Sequence, residues 1–528
     1  MTMSVKKSVL GKTVIGTVGA AALTLSVVTV PAAAADTKLQ WGPCPVGAMT
    51  APDAQCATFT APKDYKNPSA GTITLTMSKI PAKSGKPRGA IAGNPGGPGG
   101  EALPMFEGNQ KDDKGVNRVK MTQEIKDNYD LIAVEPRGLA YGDPLTCSVA
   151  DIPVGNLAMT VGAGLAHDVC NWSQPGYVDQ INTENTARDL DVARQALGLD
   201  KLSLYGVSYG GLLMATYATL FPEHTDHSLL DSSASQKDQW AGISHRGEQR
   251  RDSLEAMFQW IADRNDKYGL GDTPLKVYIN WSRVVQQETG VPAQLAPPPA
   301  QIGDLPPGIA EYHDVVLPAV NQAMPPSWRL FSAMYTVATL SPGATIRSPL
   351  FQYTYYTGLY DDSKWDSVAR YIRDGKAPAD AQGPKIDQNN EELMKEIMLQ
   401  AATYSMVERS IVCNENRVPV QPERLIPEKL EALTGGDTIN TIENSFITGE
   451  ACMGWPVPTP GPAVNGDKLA IKPLHMGFSH DNAVGSDAIY DMQKRMGGEM
   501  IILDGHNHGV MVHHTDEVAG RVNSYFGL

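Results

Sequence analysis

No run of basic residues occurs anywhere in the 528 residues, and Asp plus Glu outnumber Lys plus Arg by 58 to 44. The formal net charge of −14 argues against nucleic acid or an anionic membrane as a partner. Beyond the first 35 residues, no stretch approaches the ~20 consecutive apolar residues of a spanning helix. No C-x-x-C pair is present, and the six cysteines have spacings unlike any zinc ligand set. There is no internal repeat and no long segment of disordered composition. What remains is 42% apolar and 19% charged, enough for a large core and more than one domain.

Residues 1–35 read as an export signal. Lys6, Lys7 and Lys12 form a basic start, Val14 to Val30 an apolar core, and Ala33-Ala34-Ala35 an A-x-A cleavage pattern ahead of Asp36. No cysteine lies near that point, so a lipid anchor is not expected, nor a stable membrane anchor after cleavage. A secreted, extracellular chain with an even cysteine count is expected to carry disulfides. Of the fifteen possible connectivities, neighbour pairing is the simplest: Cys44–Cys56, Cys147–Cys170 and Cys413–Cys452.

The chemistry centres on Gly206-Val207-Ser208-Tyr209-Gly210. A strand over Lys201–Tyr205 is expected to run into it and a helix over Tyr209–Leu220 to run out. That is the strand–turn–helix setting of a G-x-S-x-G nucleophile elbow, whose tight turn excludes side chains two positions either side of the serine. Upstream, Thr72–Ile80 alternates as a half-buried strand, 88–93 is a short apolar strand, and Tyr129–Glu135 reads as a buried parallel strand. Asn185–Leu199 is a helix and His227–Asp231 the next strand. From about 237 to 465 the pattern turns helical, with segments Ser253–Asp266, Glu311–Met324, Trp365–Arg373 and Asn390–Val412 between proline-rich loops. Strands resume at Ile471–Gly477 and Glu499–Leu503, before a C-terminal helix from about Val510. Alternating strands and helices imply a mostly parallel sheet covered on both faces. The expected architecture is an α/β-hydrolase fold. Residues 36–236 and 466–528 form its two parts, and 237–465 form an inserted helical cap.

A serine nucleophile needs a base, and the base an orienting acid, in the chain order Ser, Asp or Glu, His. The loop after the last strand, Asp504-Gly505-His506-Asn507-His508-Gly509, supplies His508, with His506 as its rival. His506, His508, His513 and His514 also form a loose metal-like cluster, but without fixed helical spacing. The acid is read as Asp481, with Asp231, Asp487 and Asp491 as alternatives. For the oxyanion, the N–H of Tyr209 is one donor. Gly96 or Gly97, in the loop Asn94-Pro95-Gly96-Gly97-Pro98-Gly99-Gly100, supplies the second.

A set of marks runs along the chain: Trp41-x-x-Cys44, Cys56-Ala57, Pro62-x-Asp64-Tyr65, Asn94 to Gly99, Arg137-Gly138, Thr186 to Gly198 leading into Tyr205 to Gly210, Cys413, Cys452-x-Gly454-Trp455-Pro456 and His508-Gly509. Together they resemble the secreted actinobacterial tripeptidyl aminopeptidases, relatives of prolyl aminopeptidase. The resemblance implies serine exopeptidase action on peptides with a free N-terminus. It implies Ser208, Asp481 and His508 as the triad and no cofactor or metal. The chain departs from that family at the acid, where Asp481-Asn482-Ala483-Val484-Gly485 replaces D-x-x-T-P. An N-terminal exopeptidase also needs carboxylates for the substrate ammonium, and Glu408 and Glu415, beside Cys413, are the candidates. The alternative is a carboxylesterase, or a cell-envelope acyl hydrolase or transferase, using the same three residues.

Overall fold

A computed structural model describes residues 39–109, 118–149, 152–153, 162–236, 239–381 and 390–528. The export signal expected over 1–35 lies outside the described residues. Eight strands form one sheet: β1 (Gln55–Pro62), β2 (Thr72–Ile80), β3 (Gly89–Asn94), β4 (Tyr129–Val134), β5 (Leu202–Val207), β6 (Thr225–Asp231), β7 (Leu474–Phe478) and β8 (Glu499–Leu503). Their order across the sheet is β1-β2-β4-β3-β5-β6-β7-β8. The β1–β2 and β2–β4 pairings are antiparallel and every later pairing is parallel. This is the sheet of an α/β-hydrolase.

Side chains alternate along each strand, so one strand feeds two cores. Leu204 and Leu230 pack on one face with Leu75, Ile132 and helices α1 (Thr183–Ala196) and α2 (Tyr209–Leu220). Tyr205, Val207 and Leu229 turn to the other face, against Met476, Phe478 and the C-terminal helix Thr515–Tyr525. The continuous apolar runs of the inner parallel strands are buried on both sides for this reason, while β8, at the edge, is only half-buried.

Most element bounds fall within a few residues of those expected; the helix expected over Ser253–Asp266 instead runs from Gln239 to Ala262, and the other differences have local causes. β7 starts at Leu474 because Pro473 lacks the N–H a ladder needs. β1 has no counterpart among the expected strands: its neighbouring Thr and Ala residues carry little hydrophobic signal, and pairing along β2 is what makes it a strand. The helix expected over Glu311–Met324 runs instead from His313 to Thr339, through Pro318, Pro325 and Pro326. Its second half is held from outside, where Ser332 donates to the Gly435 carbonyl and Gln294 donates to Thr336 Oγ1 at 2.9 Å.

Between β6 and β7 the described residues contain no strand. Helices α3 (Gln239–Ala262), α4 (Pro274–Thr289), α5 (Trp365–Asp374) and α6 (Glu391–Glu415) dominate this stretch. It has its own core, built from Phe258, Ile261, Trp281, Phe351, Tyr355 and Val368. Helix α6 differs: Met406, Val407 and Ile411 pack into the core of the sheet. The three disulfides join Cys44 to Cys56, Cys147 to Cys170 and Cys413 to Cys452. Among the described residues, no helix is long and apolar enough to cross a membrane.

Candidate active site

The turn after β5 places Ser208 at φ 61° and ψ −129°, a conformation that L-residues adopt only under constraint. Both flanking glycines are required by space. A Cβ on Gly206 would stand 2.2 Å from the Gly210 carbonyl oxygen, and one on Gly210 would stand 2.1 Å from that of Asn94. The Ser208 N–H donates to the Asp231 carbonyl at 3.0 Å, and the Ala234 N–H donates to the Ser208 carbonyl at 3.0 Å. The strained turn is therefore gripped from β6.

A cavity of about 200 Å³ opens over Ser208. His508, Tyr209 and Gly97 line it, as do Arg246 of α3, Tyr360 and Tyr404. His508 presents Nδ1 to Asp481, 2.8 Å from Oδ1 and 3.0 Å from Oδ2. The Asp481 carboxylate is fully buried and also receives the N–H groups of Ala483 (2.9 Å) and Val484 (2.8 Å). Those bonds fix its rotamer, and with it the plane in which it meets the imidazole.

The rival residues are occupied elsewhere. Asp231 accepts the N–H groups of Val510 (2.8 Å) and Met511 (2.9 Å) and the hydroxyl of Tyr205 (2.9 Å). Burial pushes its carboxyl above the usual range, against the pull of those donors. It braces the turn after His508 and does not meet the ring. Asp491 takes the Ser235 hydroxyl and Arg495 Nε, and Asp487 sits in the first turn of the helix Ser486–Met496. His506 stacks on His480 with ring centres 4.7 Å apart. Burial and that neighbouring histidine push its pKa down. The remaining two histidines of the cluster diverge, His513 to Asp361 and His514 to Glu517.

Of the oxyanion donors, Tyr209 N–H opens α2, where no carbonyl of its own helix can reach it. Gly97 borders the cavity with φ +113°, a backbone shape that favours glycine. Gly96 is not placed to be the second donor, because its N–H donates to Asn94 Oδ1 at 2.9 Å. Glu415, the other expected ammonium anchor, is engaged elsewhere. It accepts the N–H and hydroxyl of Thr183 at the start of α1, and that same hydroxyl meets Tyr209 Oη at 2.7 Å. Both its oxygens thus serve a helix terminus. Glu408 lies beside the oxyanion loop, where a Cβ on Gly99 would stand 3.3 Å from its amide nitrogen, and its carboxylate is 3.9 Å from Arg246.

One part of the site carried no sequence signal. Leu359–Asp362, from the helical stretch, ties down the loops that carry the acid and the base. Asn482 donates to the Leu359 carbonyl, and the His508 N–H donates to the Tyr360 carbonyl at 3.3 Å. Asp362 N–H donates to Asn507 Oδ1 at 2.7 Å, and Asn507 Nδ2 returns a bond to Asp362 Oδ2 at 3.0 Å. Arg250 of α3 donates in turn to the hydroxyls of Tyr355 and Tyr360.

Residues 95–265 match the family model for the alpha/beta hydrolase fold. The chain is 29% identical to the tripeptidyl aminopeptidase of Streptomyces lividans over 278 residues, 48% of this chain and 49% of that protein. The match thus spans about half the length of that relative. It is 23% identical to the serine protease Hip1 of Mycobacterium tuberculosis over 523 residues, 92% of this chain and 88% of Hip1. A shorter likeness, 30% over 158 residues, joins it to carboxylesterase B of the same organism, covering 27% of this chain and 29% of that one.

Proposed function

We propose that this chain, which belongs to the α/β-hydrolase family, is an exported serine exopeptidase that releases short peptides, tripeptides foremost, from free N-termini. The observation that carries the reading is the His508–Asp481 pair at the rim of a cavity floored by Ser208 on its strained turn. With Nδ1 held by Asp481, Nε2 of His508 is the nitrogen left to take the Ser208 proton. Ser208 attacks the scissile carbonyl, and the N–H groups of Tyr209 and Gly97 receive the charge that forms on its oxygen. His508 then hands its proton to the leaving amine. Water, activated by the same imidazole, hydrolyses the acyl-enzyme. The step needs no metal or organic cofactor.

The likeness to a tripeptidyl aminopeptidase and to a serine protease supports peptides as substrates. The helical stretch 237–465 serves as the cap that limits how much peptide enters, since Arg246, Tyr360 and Tyr404 already line the cavity from it. Three disulfides and the basic, apolar leader support export. The likeness to carboxylesterase B favours a second reading, an esterase or acyl transferase with the same triad.

Matched chromogenic substrates separate the two. The panel is a free-amine tripeptide anilide, its N-acetyl form and a short acyl ester, each given to the protein and to Ser208→Ala. Cleavage of the free-amine anilide, abolished by the substitution, is the expected result. Ester turnover with both anilides untouched overturns the peptidase in favour of the esterase.

A further inference from the structure

A second cavity, of about 300 Å³, shares Pro95, Tyr360 and His508 with the one over Ser208. Its wall includes Glu101, which directly follows the glycine-rich oxyanion loop. Arg118, Asp361 and His513 also line it. Asp361 is paired with His513 at 3.3 Å, and Arg118 donates to the Met49 carbonyl. Glu101 is half-buried, yet among the described residues it has no hydrogen-bond or ion-pair partner. Ionising a half-buried carboxylate that touches no counter-charge is costly, and a cation that arrives with the ligand relieves that cost. The loop just beyond it is stiff: Glu135, fully buried, accepts the N–H groups of Ala102 (2.9 Å) and Leu103 (3.3 Å).

We infer that Glu101 recognises the substrate's cationic group, pairing with an ammonium in the cavity next to His508. This rests on the peptidase reading and deepens it. It supplies the anchor that Glu415 cannot be, because that side chain caps α1, and that Glu408 shares with Arg246. The cation is the peptide's free N-terminus or a lysine side chain, and the two titrate differently.

Burial raises the Glu101 carboxyl to about 7, and burial together with Glu101 raises Glu135 to about 8. The groups around Glu101 are Glu135 and Tyr141 on the protein side and Arg118, Asp361, His513 and His508 across the cavity. Glu101 gains its charge as pH rises through about 7, so affinity for a cation rises over that range. A peptide N-terminus loses its proton near about 8, whereas lysine keeps its proton to about 10. An affinity maximum between the two lower values identifies the N-terminus, and a plateau above 8 identifies lysine.

The test is calorimetric titration of full-length Ser208→Ala, with and without Glu101→Gln, so that binding is read apart from hydrolysis. The ligands are a free-amine trialanine, its N-acetyl form and an N-acetyl tripeptide containing lysine. One cationic ligand is expected to bind about 10–100-fold tighter than N-acetyl trialanine, the range of a charge-assisted pair. Glu101→Gln is expected to erase that preference while leaving the affinity for N-acetyl trialanine unchanged, which also shows that the variant is folded. Glu101→Asp is expected to restore part of it. No measurable binding of either cationic ligand, no preference over the neutral one, or a preference that survives Glu101→Gln overturns the inference. Preference lost in Glu101→Gln, from a protein that hydrolyses no peptide, leaves the cation site standing and removes the peptidase reading.

Discussion

At the scale of single residues, the site works by restricting choices. Asp481 receives two backbone N–H groups and the imidazole, so it has one way to point. Asp481→Asn keeps the size but supplies an amide where a proton acceptor is needed, which favours the wrong tautomer of His508. A fall in kcat of roughly 10³–10⁴-fold with little change in KM is expected, by analogy with the acid of other serine triads. Steady-state kinetics on the free-amine anilide reads it, and a loss under tenfold would remove Asp481 from its role. Ser208 and His508 are candidates on local rules alone, a glycine-flanked turn and a loop after the last strand, and the structure brings both to the wall of one cavity. The choice between Asp481 and Asp231 could not. One ends a strand and the other follows one, and only the fold shows that Asp231 is committed to the Val510 and Met511 amides. Glu101 was equally hidden. A glutamate after a glycine-rich loop looks like any surface acid until the cavity beside it is seen.

At the scale of elements, the strand patterns and the helix after Ser208 carry over into the structure, two helices of the middle stretch run well past their patterns, and the connections leave no pattern at all. Thr72–Ile80, Tyr209–Leu220 and Glu499–Leu503 have the bounds their patterns imply; burial leaves its mark in the first two, and the last, a half-buried edge strand, shows as an apolar run. Leu359–Asp362 has no such mark. It grips the His508 and Asp481 loops from more than a hundred residues away, chiefly through backbone groups, which any sequence supplies. Among its side-chain contacts, the pair of hydrogen bonds between Asn507 and Asp362 bears directly on the His508 loop. Asn507→Ala leaves the Asp362 N–H without its acceptor and loosens the loop one residue before His508. A drop in kcat of about 10–100-fold is expected, with binding of a non-hydrolysed peptide to the Ser208→Ala background unaffected. Asp362→Ala removes the other half of the pair and is expected to give a similar kcat. The double variant should then be little worse than either single one, as for groups acting as a unit. Additive losses in the double variant contradict a shared clamp.

At the scale of the molecule, the antiparallel edge of the sheet must be fastened to the parallel part that holds Ser208. Arg137, at the turn after β4, does this. Its guanidinium makes a two-pronged contact with Asp189 of α1, Nε to Oδ2 at 2.7 Å and Nη2 to Oδ1 at 2.6 Å. It also donates to the carbonyls of Pro62 and Lys63 at the end of β1, and Tyr65 Oη donates to Asp189 at 2.8 Å. Arg137 and Asp189 are 0% and 1% exposed, so neither charge can fall back on water if the other is lost. Arg137-Gly138 stands out in the sequence as one of the marks along the chain, but its partner does not, because Asp189 occupies an ordinary helical position and only tertiary packing buries it. Asp189→Leu strands a guanidinium in the core and should destabilise by about 3–5 kcal/mol. Arg137→Met strands the carboxylate and should cost a similar amount. Removing both charges together spares the desolvation that the pair requires, so Arg137→Met with Asp189→Leu is expected to recover most of the loss. Thermal unfolding midpoints at pH 7 for the three variants, with disulfides intact, decide it. If the double variant falls as far as the sum of the singles, the pair holds β1 to α1 by its own attraction and by the carbonyls Arg137 collects, and the two charges are not merely neutralising each other.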